Sequence, residues 1–156
     1  NSLFAVSLFA ISLYISIRFD KKYALFALLA LFHDLFIVFG IFSWFGVLLS
    51  IEVNSLFAVS LLTIAGYSVN DTVVIFDRIR ENLKKNSENY NKTIQISVNE
   101  SFRRTLFTSI TTLIPLLTLM IFGSYSLFWF SVSLSLGILI GSYSSILLAP
   151  SFLIKD

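Results

Sequence analysis

The sequence predicts an all-α protein, a polytopic bundle of five membrane-spanning helices. Hydrophobic residues make up 56% of the 156 residues and charged residues only 13%, with a mean hydropathy of +0.87. Soluble domains do not have this composition. The apolar residues fall into five runs between short polar connections, and each run has to be helical because hydrocarbon offers no water to free backbone groups. We therefore treat residues 1–156 as a single transmembrane domain.

The first three runs follow one another closely. Residues 1–17 are short for a complete span and begin without Met or a positively charged leader, so we expect a helix whose upstream chain is missing rather than a signal peptide. A charged turn at residues 18–22 precedes the second span, residues 23–45, which is long enough to cross a hydrocarbon core of about 30 Å. Residues 46–52 are a brief connection, and residues 53–76 form the third span.

The one long polar segment covers residues 77–104. Its middle, residues 82–92, is rich in Asn, Lys, Ser and Glu, which predicts a solvated loop. Apolar residues then recur at every fourth position, at Ile94, Val98 and Phe102. This pattern predicts an amphipathic helix that lies along the membrane interface before the next span.

The last two spans are residues 106–122 and residues 127–150, joined by a tight turn at residues 123–126. Pro115 predicts a kink in the fourth span, because proline removes a hydrogen bond from the helix. Lys155 and Asp156 are expected in water.

The positive charges predict the orientation of these spans. With five spans, all Lys and Arg fall on one side of the membrane, in residues 18–22, in residues 77–104 and at Lys155. The opposite connections contain Glu52 and no Lys or Arg. Positively charged connections are cytoplasmic as a rule, so we expect the long polar segment and the C-terminus in the cytoplasm.

The composition also excludes several kinds of site. The chain has no Cys and one His, which excludes disulfides and thiol catalysis and makes a metal site improbable. We expect no cofactor, no metal and no nucleic-acid partner.

Asp71 is the main candidate functional residue, because it lies well inside the third span. Two interpretations stay open: a structural hydrogen bond to another helix, and a titrating group in an ion or proton path. Arg104, at the entrance of the fourth span, is a candidate partner, and Thr108 and Thr112 follow at intervals of four on the same helix face. The alternative for that face is an interfacial anchor whose hydroxyls bond to their own helix.

Two further acid and base residues, His33 and Asp34, are adjacent in the middle of the second span. Consecutive helical residues point about 100° apart, so the two are not expected to serve one partner in the same way. We interpret them as sources of hydrogen bonds between helices, with a proton relay as the alternative.

Small residues at intervals of four predict close helix packing in the last span, at Ser133, Gly137, Gly141, Ser145 and Ala149. Gly66, together with Ala58, predicts a related small face on the third span.

The stretch from residue 66 to residue 82, GYSVNDTVVIFDRIREN, resembles the fourth-span signature of SecF-type chains in the SecD/SecF family of protein-export membrane proteins. Asn70, Asp71, Thr72 and Asp77 fit the SecF version better than the SecD version, which typically has a Val-Asp-Ala-Asn core and Glu before Arg-Ile-Arg. The match extends through residues 30–34, 103–105, 108–112 and 141–145.

The resemblance implies a chain of six spans with a large external domain between the first and the second. Our sequence then corresponds to spans two to six, and the first span and the external domain are absent from it. The implied partners are a SecD-like subunit, the Sec translocon, the lipid bilayer, and a translocating polypeptide that the external domain handles. The implied location is the bacterial inner membrane, with the plastid thylakoid membrane as the alternative.

The implied function is to couple the proton-motive force to late steps of polypeptide export. Asp71 and Arg104 match family positions implicated in proton conduction, so the hypothesis makes Asp71 the proton carrier and Arg104 the group that helps to eject the proton inward, with Thr108 on the same path. Asn70 and Thr72 would tune hydration or support the Asp71 rotamer.

Three alternatives belong to other classes. The first is a fragment of a proton-driven resistance-nodulation-division exporter, against which the signature in residues 66–82 argues. The second is an intramembrane aspartyl protease using Asp34 and Asp71, although the Gly-x-Gly-Asp context of such proteases is absent. The third is an inert assembly scaffold.

Overall fold

A computed structural model describes residues 2–50, 55–85 and 89–154, which are almost entirely helical and contain no strand. Four helical stretches are long and apolar enough to cross a membrane, and the first helix is a shorter apolar one. This confirms the predicted all-α bundle. The elements in order are α1 (Ser2–Arg18), α2 (Lys21–Leu49), α3 (Ser55–Lys85), α4 (Tyr90–Phe122), α5 (Tyr125–Tyr143), a π-helical turn (Ser144–Leu148) and α6 (Ala149–Ser151).

Helices α3 and α4 correct the prediction for the polar segment. Residues 82–85 and 90–92 are helical, although a loop was predicted there. The amphipathic stretch around Ile94 is not a separate helix along the interface, because it forms the first turns of α4, whose 33 residues continue through Pro115. Its apolar face packs on α3, with Ile94 in one buried cluster with Ile79. Tertiary packing therefore extends both helices, as it commonly does for amphipathic segments.

Smaller differences concern the other connections. Helix α2 continues to Leu49, so the connection predicted from residue 46 begins only at Ser50. Helix α5 begins at Tyr125, inside the predicted turn. Some predictions concern residues outside the described ones. These are Glu52, the first residue of the predicted third span, the middle of the polar loop at residues 86–88, and the C-terminal Lys155 and Asp156.

Two apolar clusters fill the interior at opposite ends of the bundle. One cluster, at the end of the bundle where α1 ends, includes Phe76, whose ring meets Phe19 and Tyr23 edge to face at centroid distances of 6.1 and 5.6 Å. The far cluster includes Phe42 and Phe57, whose rings stack at 4.7 Å. Buried polar residues form a layer between the two clusters, and its members on α2, α3 and the π-helical turn are Asp34, Ser68, Asp71, Thr72, Ser144 and Ser145.

The outer faces of the helices are apolar. Large exposed side chains occur on every long helix, among them Leu3, Phe36, Val59, Ile121 and Leu139. A soluble monomer rarely leaves so much apolar surface in water. Apolar residues outside and hydroxyls inside are what a bundle surrounded by lipid requires.

Charged residues of three helices gather at one end of the bundle, which we call the basic end. Arg18 at the end of α1 donates a 2.6 Å hydrogen bond to Asp77 on α3. Arg78 on α3 donates a 2.7 Å hydrogen bond to Glu100 on α4. The tertiary structure thus places Arg18 and Arg78, which the five-span layout assigned to one side, at the same end of the bundle.

The small residues of α5 lie against α3. A Cβ on Gly137 would be only 2.3 Å from Cδ1 of Ile64, and one on Gly141 would be 3.4 Å from Cβ of Ser68. Gly66 is different: it is exposed, and an added Cβ would meet nothing within 4 Å. The small face predicted around Gly66 is therefore not a close helix contact within the described chain.

Candidate functional site

Asp34 is the most highly connected acid of the polar layer. Its side chain is fully buried, and Oδ2 accepts hydrogen bonds from Ser68 Oγ on α3 at 2.6 Å and from Ser144 Oγ at 2.7 Å. Its Oδ1 lies 3.2 Å from Nδ1 of the half-buried His33. Asp34 therefore hydrogen-bonds to the next helix, as we expected, and also to the π-helical turn, which the sequence did not predict.

The π-helical turn extends this network towards Asp71. Ser145 Oγ lies 2.9 Å from Thr72 Oγ1 and 3.4 Å from the carbonyl oxygen of Ser68. Ser144 and Ser145 are both fully buried. The layer thus contains two sets of hydrogen bonds, one centred on Asp34 and one that joins Ser145 to Thr72, the neighbour of Asp71. The two sets meet at Ser68, whose hydroxyl belongs to the first and whose backbone carbonyl oxygen belongs to the second.

Asp71 itself is buried, with 4% of its surface exposed. Among the described residues its carboxylate has no side-chain hydrogen-bond partner, and Arg104 is the charged group that acts on it. The two side chains do not form a contact ion pair within the described part of the chain. Asp71 therefore differs from Asp34, whose two carboxylate oxygens both have partners.

Arg104 is exposed and lines a cleft of about 420 Å³ at the basic end. The rest of the lining comes from α3 and α4 and is mostly charged: Val74, Asp77, Arg78, Glu81, Glu100 and Ser101. Val74 lies about one helical turn from Asp71. The cleft therefore brings water and charge to within a short distance of the buried acid.

The remaining predicted residues divide into buried and exposed ones. Thr72 is buried in the polar layer, whereas Asn70 is exposed on the outer face of α3. Thr108 is half-buried and donates to the carbonyl oxygen of Thr105 at 2.9 Å, so its hydroxyl bonds to its own helix. Thr112 also donates to its own helix, to the carbonyl oxygen of Thr108 at 2.8 Å, and its hydroxyl hydrogen-bonds across to Tyr67 on α3 as well.

Sequence reasoning missed Ser68 and Ser144 as partners of Asp34. Serines are frequent throughout these helices, and many simply bond back to their own carbonyls, as Ser7 and Ser12 do at 2.8 Å. The one available signal was the pair of adjacent hydroxyls at Ser144 and Ser145 in an apolar helix. In a regular helix two neighbouring side chains point about 100° apart, so two adjacent serines indicate either two different partners or an irregular turn.

The arrangement gives no support to a protease dyad. Two catalytic aspartates have to share one water. In the described structure no hydrogen bond joins Asp34 to Asp71, and the oxygens of Asp34 are occupied by Ser68, Ser144 and His33. The described residues also contain no group of three His, Asp or Glu side chains that could hold a metal ion.

Comparisons with known proteins agree with this architecture. Residues 2–155 match the family described as protein export membrane protein SecD/SecF, C-terminal. The chain is 56% identical over 149 residues to a protein translocase subunit SecF of Prochlorococcus marinus and 46% identical over 147 residues to one of Synechocystis, covering 95% and 94% of this chain. It spans about half the length of these curated relatives, 46% and 47%.

Solved structures give the same result. The crystal structure of SecDF, a translocon-associated membrane protein from Thermus thermophilus, matches with a TM-score of 0.85 and 38% sequence identity, over 91% of this chain and 19% of that one. A second SecDF structure, in a super-membrane-facing form, matches with a TM-score of 0.83. The helices described above are therefore those of a multi-pass membrane protein, and the chain belongs to the SecD/SecF family of protein export membrane proteins.

Proposed function

We propose that this chain is the membrane part of a SecF-like export subunit, which couples the proton-motive force to late steps of polypeptide translocation. In this proposal Asp71 binds the proton and Arg104 promotes its release. The subunit is a transport component and not an enzyme. The observation that carries the proposal is the state of Asp71, a buried carboxylate with no hydrogen-bond partner among the described residues and with one guanidinium acting on it.

The physical logic depends on two positions of one acid. When Asp71 faces the proton-rich side, it takes up a proton, which removes the cost of holding a charge among apolar groups. When helix motion brings Asp71 and Arg104 together, the positive charge favours the ionised carboxylate and the proton leaves. The charged cleft around Arg104 then offers water as the exit. Proton passage is in this way tied to movement between α3 and α4.

The orientation follows from the charges at the basic end. We place this end in the cytoplasm, because Arg18, Arg78 and Arg104 all lie there and cytoplasmic ends are enriched in Lys and Arg. Asp71 then receives its proton from the far side, in the bacterial inner membrane or its thylakoid equivalent.

The exposed face of α3 supports a SecD-like partner. Asn70 and Gly66 lie on this face, one turn apart, at the level of the polar layer. An amide that faces lipid tails at this depth is costly, whereas small and polar residues are common where one membrane helix packs on another. We assign this face to a helix of the partner subunit. The Sec translocon and the exported polypeptide are further partners of the complete protein.

The test is proton conduction and protein export in membrane vesicles that contain the complete complex. Asp71→Asn keeps the shape of the side chain but cannot release a proton, so both activities should fall to the background. Asp20→Asn is the matched control, because Asp20 is exposed and makes no side-chain cap bond to α2. The proposal is wrong if an assembled Asp71→Asn complex conducts and exports like the unchanged protein.

A further inference from the structure

The crossing of α2, α3 and the π-helical turn depends on one carboxylate. A single oxygen of Asp34 accepts hydrogen bonds from Ser68 and Ser144, which belong to different helices. Gly141 lies beside this carboxylate, since a Cβ there would be in ordinary van der Waals contact with Oδ2 of Asp34, at 3.7 Å. Asp34 thus joins three helical segments, because it lies on α2 and accepts hydrogen bonds from α3 and from the π-helical turn.

The π-helical turn explains how two consecutive serines bond to two different helices. Ser144 donates to Asp34 on α2, and Ser145 meets Thr72 on α3. The turn is closed by a hydrogen bond from the backbone N–H of Ala149 to the carbonyl oxygen of Ser144, five residues apart. This wider turn rotates less per residue than a regular helix, which lets neighbouring side chains both face inward. Such turns need specific partners, because their backbone geometry is unfavourable on its own.

We propose that Asp34 is a positioning residue for Asp71. By holding Ser144, Asp34 fixes the π-helical turn, and the turn presents Ser145 to Thr72, the residue next to Asp71 on α3. The contact between α3 and the π-helical turn is thereby fixed at the residue next to Asp71. This inference rests on the proposed role of Asp71 for its functional consequence, although the positioning itself can be measured separately.

The role requires hydrogen-bond acceptors at Asp34 and does not require a titrating group. An asparagine supplies a carbonyl oxygen with two lone pairs for Ser68 and Ser144, and its NH2 group can donate to a neutral His33. Alanine supplies nothing and leaves two buried hydroxyls without their acceptor. Asp34→Asn and Asp34→Ala therefore separate positioning from proton transfer.

The first experiment measures position by cross-linking in the complete complex in membranes. The sequence contains no Cys, so a Thr72→Cys and Ser145→Cys pair, at positions whose oxygens are 2.9 Å apart, reports the contact directly with copper phenanthroline as oxidant. A Ser60→Cys and Ser133→Cys pair is the control, because these hydroxyls are 2.6 Å apart on the same two helices in the far half of the bundle.

We expect Asp34→Asn to cross-link at the 72/145 pair at the rate of the unchanged protein. Asp34→Ala should lower the cross-linking rate of this pair roughly tenfold, which is the effect of losing one hydrogen bond to a charged group. The cross-linking rate of the 60/133 pair should not change. Ser144→Ala, a milder change, should slow the 72/145 pair in the same direction, whereas Ser142→Ala should not, because Ser142 bonds instead to Ser109 on α4. Equal rates for Asp34→Ala, Ser144→Ala and the unchanged protein would overturn the proposal.

The second experiment measures proton conduction across a range of pH. Asp34→Asn should keep both the rate and the pH profile, while Asp34→Ala should lower the rate. If Asp34→Asn cross-links normally but no longer conducts, Asp34 carries a proton itself and the positioning role is refuted. If Asp71→Asn conducts normally, the proposed function fails, and the cross-linking rates still decide whether Asp34 sets the π-helical turn.

Discussion

Gly137 on α5 packs directly on Ile64 of α3, so closely that an added Cβ would lie 2.3 Å from both Cγ1 and Cδ1 of the isoleucine. Ile64 is buried in the far cluster and cannot move aside freely. A hydrogen in place of a side chain is therefore what allows these two helices to meet here. Contacts of this kind give membrane helices their close packing without a hydrophobic driving force.

Gly137→Ala should destabilise the protein by about 1–3 kcal/mol, because it overpacks a filled interior. Ile64→Ala in the same chain removes the atoms that clash, so the double variant should lose less than the sum of the two single variants. Gly66→Ala, where the space is open, is the matched control and should not destabilise the protein, because alanine favours the helix over glycine by up to about 1 kcal/mol. Thermal unfolding of the purified full-length protein in detergent measures all four. A Gly137→Ala protein as stable as the Gly66→Ala protein would contradict the packing.

Arg104 and Arg103 are adjacent arginines on α4 with different surroundings. Arg104 lines the charged cleft and acts on Asp71, whereas the guanidinium of Arg103 lies 5.7 Å from the ring centroid of Phe107. Arg104→Gln should therefore lower proton conduction by about tenfold or more, because a nearby positive charge that favours the ionised carboxylate is lost, and Arg103→Gln should not. Conduction in vesicles with the complete complex is the measurement. Equal losses for both variants would point to a general need for positive charge instead.

Asn70 should contribute to association with the partner subunit and not to the stability of its own chain. Asn70→Leu removes a polar group from the exposed face of α3, so we expect co-purification of the SecD-like partner to weaken by the equivalent of about 1 kcal/mol. Thr118→Leu is the control, since Thr118 is exposed on α4 and its hydroxyl donates to the carbonyl oxygen of Ile114 in its own helix. Thermal unfolding of the separated subunit should be unchanged in both variants. Full retention of the partner by Asn70→Leu would assign this face to lipid.

Glu100 should make a pH-dependent contribution to the joint between α3 and α4. Hydrogen bonds from Asn82 and Arg78 lower the pKa of Glu100 below its usual value of 4.5. A lowered pKa means that the stabilisation is complete well above pH 4.5 and is lost as the pH falls through the pKa of the folded protein. Glu100→Gln should therefore lower Tm at pH 7 and make a smaller difference at pH 4. A difference that grows on acidification would have the wrong sign.

Much of this architecture follows from local sequence. The five apolar runs, the inward-facing small residues of α5 and the place of Asp71 inside a span all depend on residues within a few turns of one another, and helical geometry relates such residues directly. The ends of α3 and α4 were predicted less well. Their polar extensions are helical because Ile79 of α3 and Ile94 of α4 join one buried cluster, and packing between helices cannot be predicted from the hydrophobic period of either helix.

Composition and hydropathy were enough to identify lipid as the solvent, the fold class and the buried acids, because hydrocarbon restricts the chain to helices and makes polar residues within a span rare. The hydrogen bonds of each acid depend on the packing of the helices. Ser144, 110 positions away, reaches Asp34, whereas Asp71 has no side-chain hydrogen-bond partner among the described residues. That pairing depends on the crossing of α2 with the π-helical turn. Partners so distant in sequence are brought together by the packing of whole helices, and no local sequence pattern predicts their pairing.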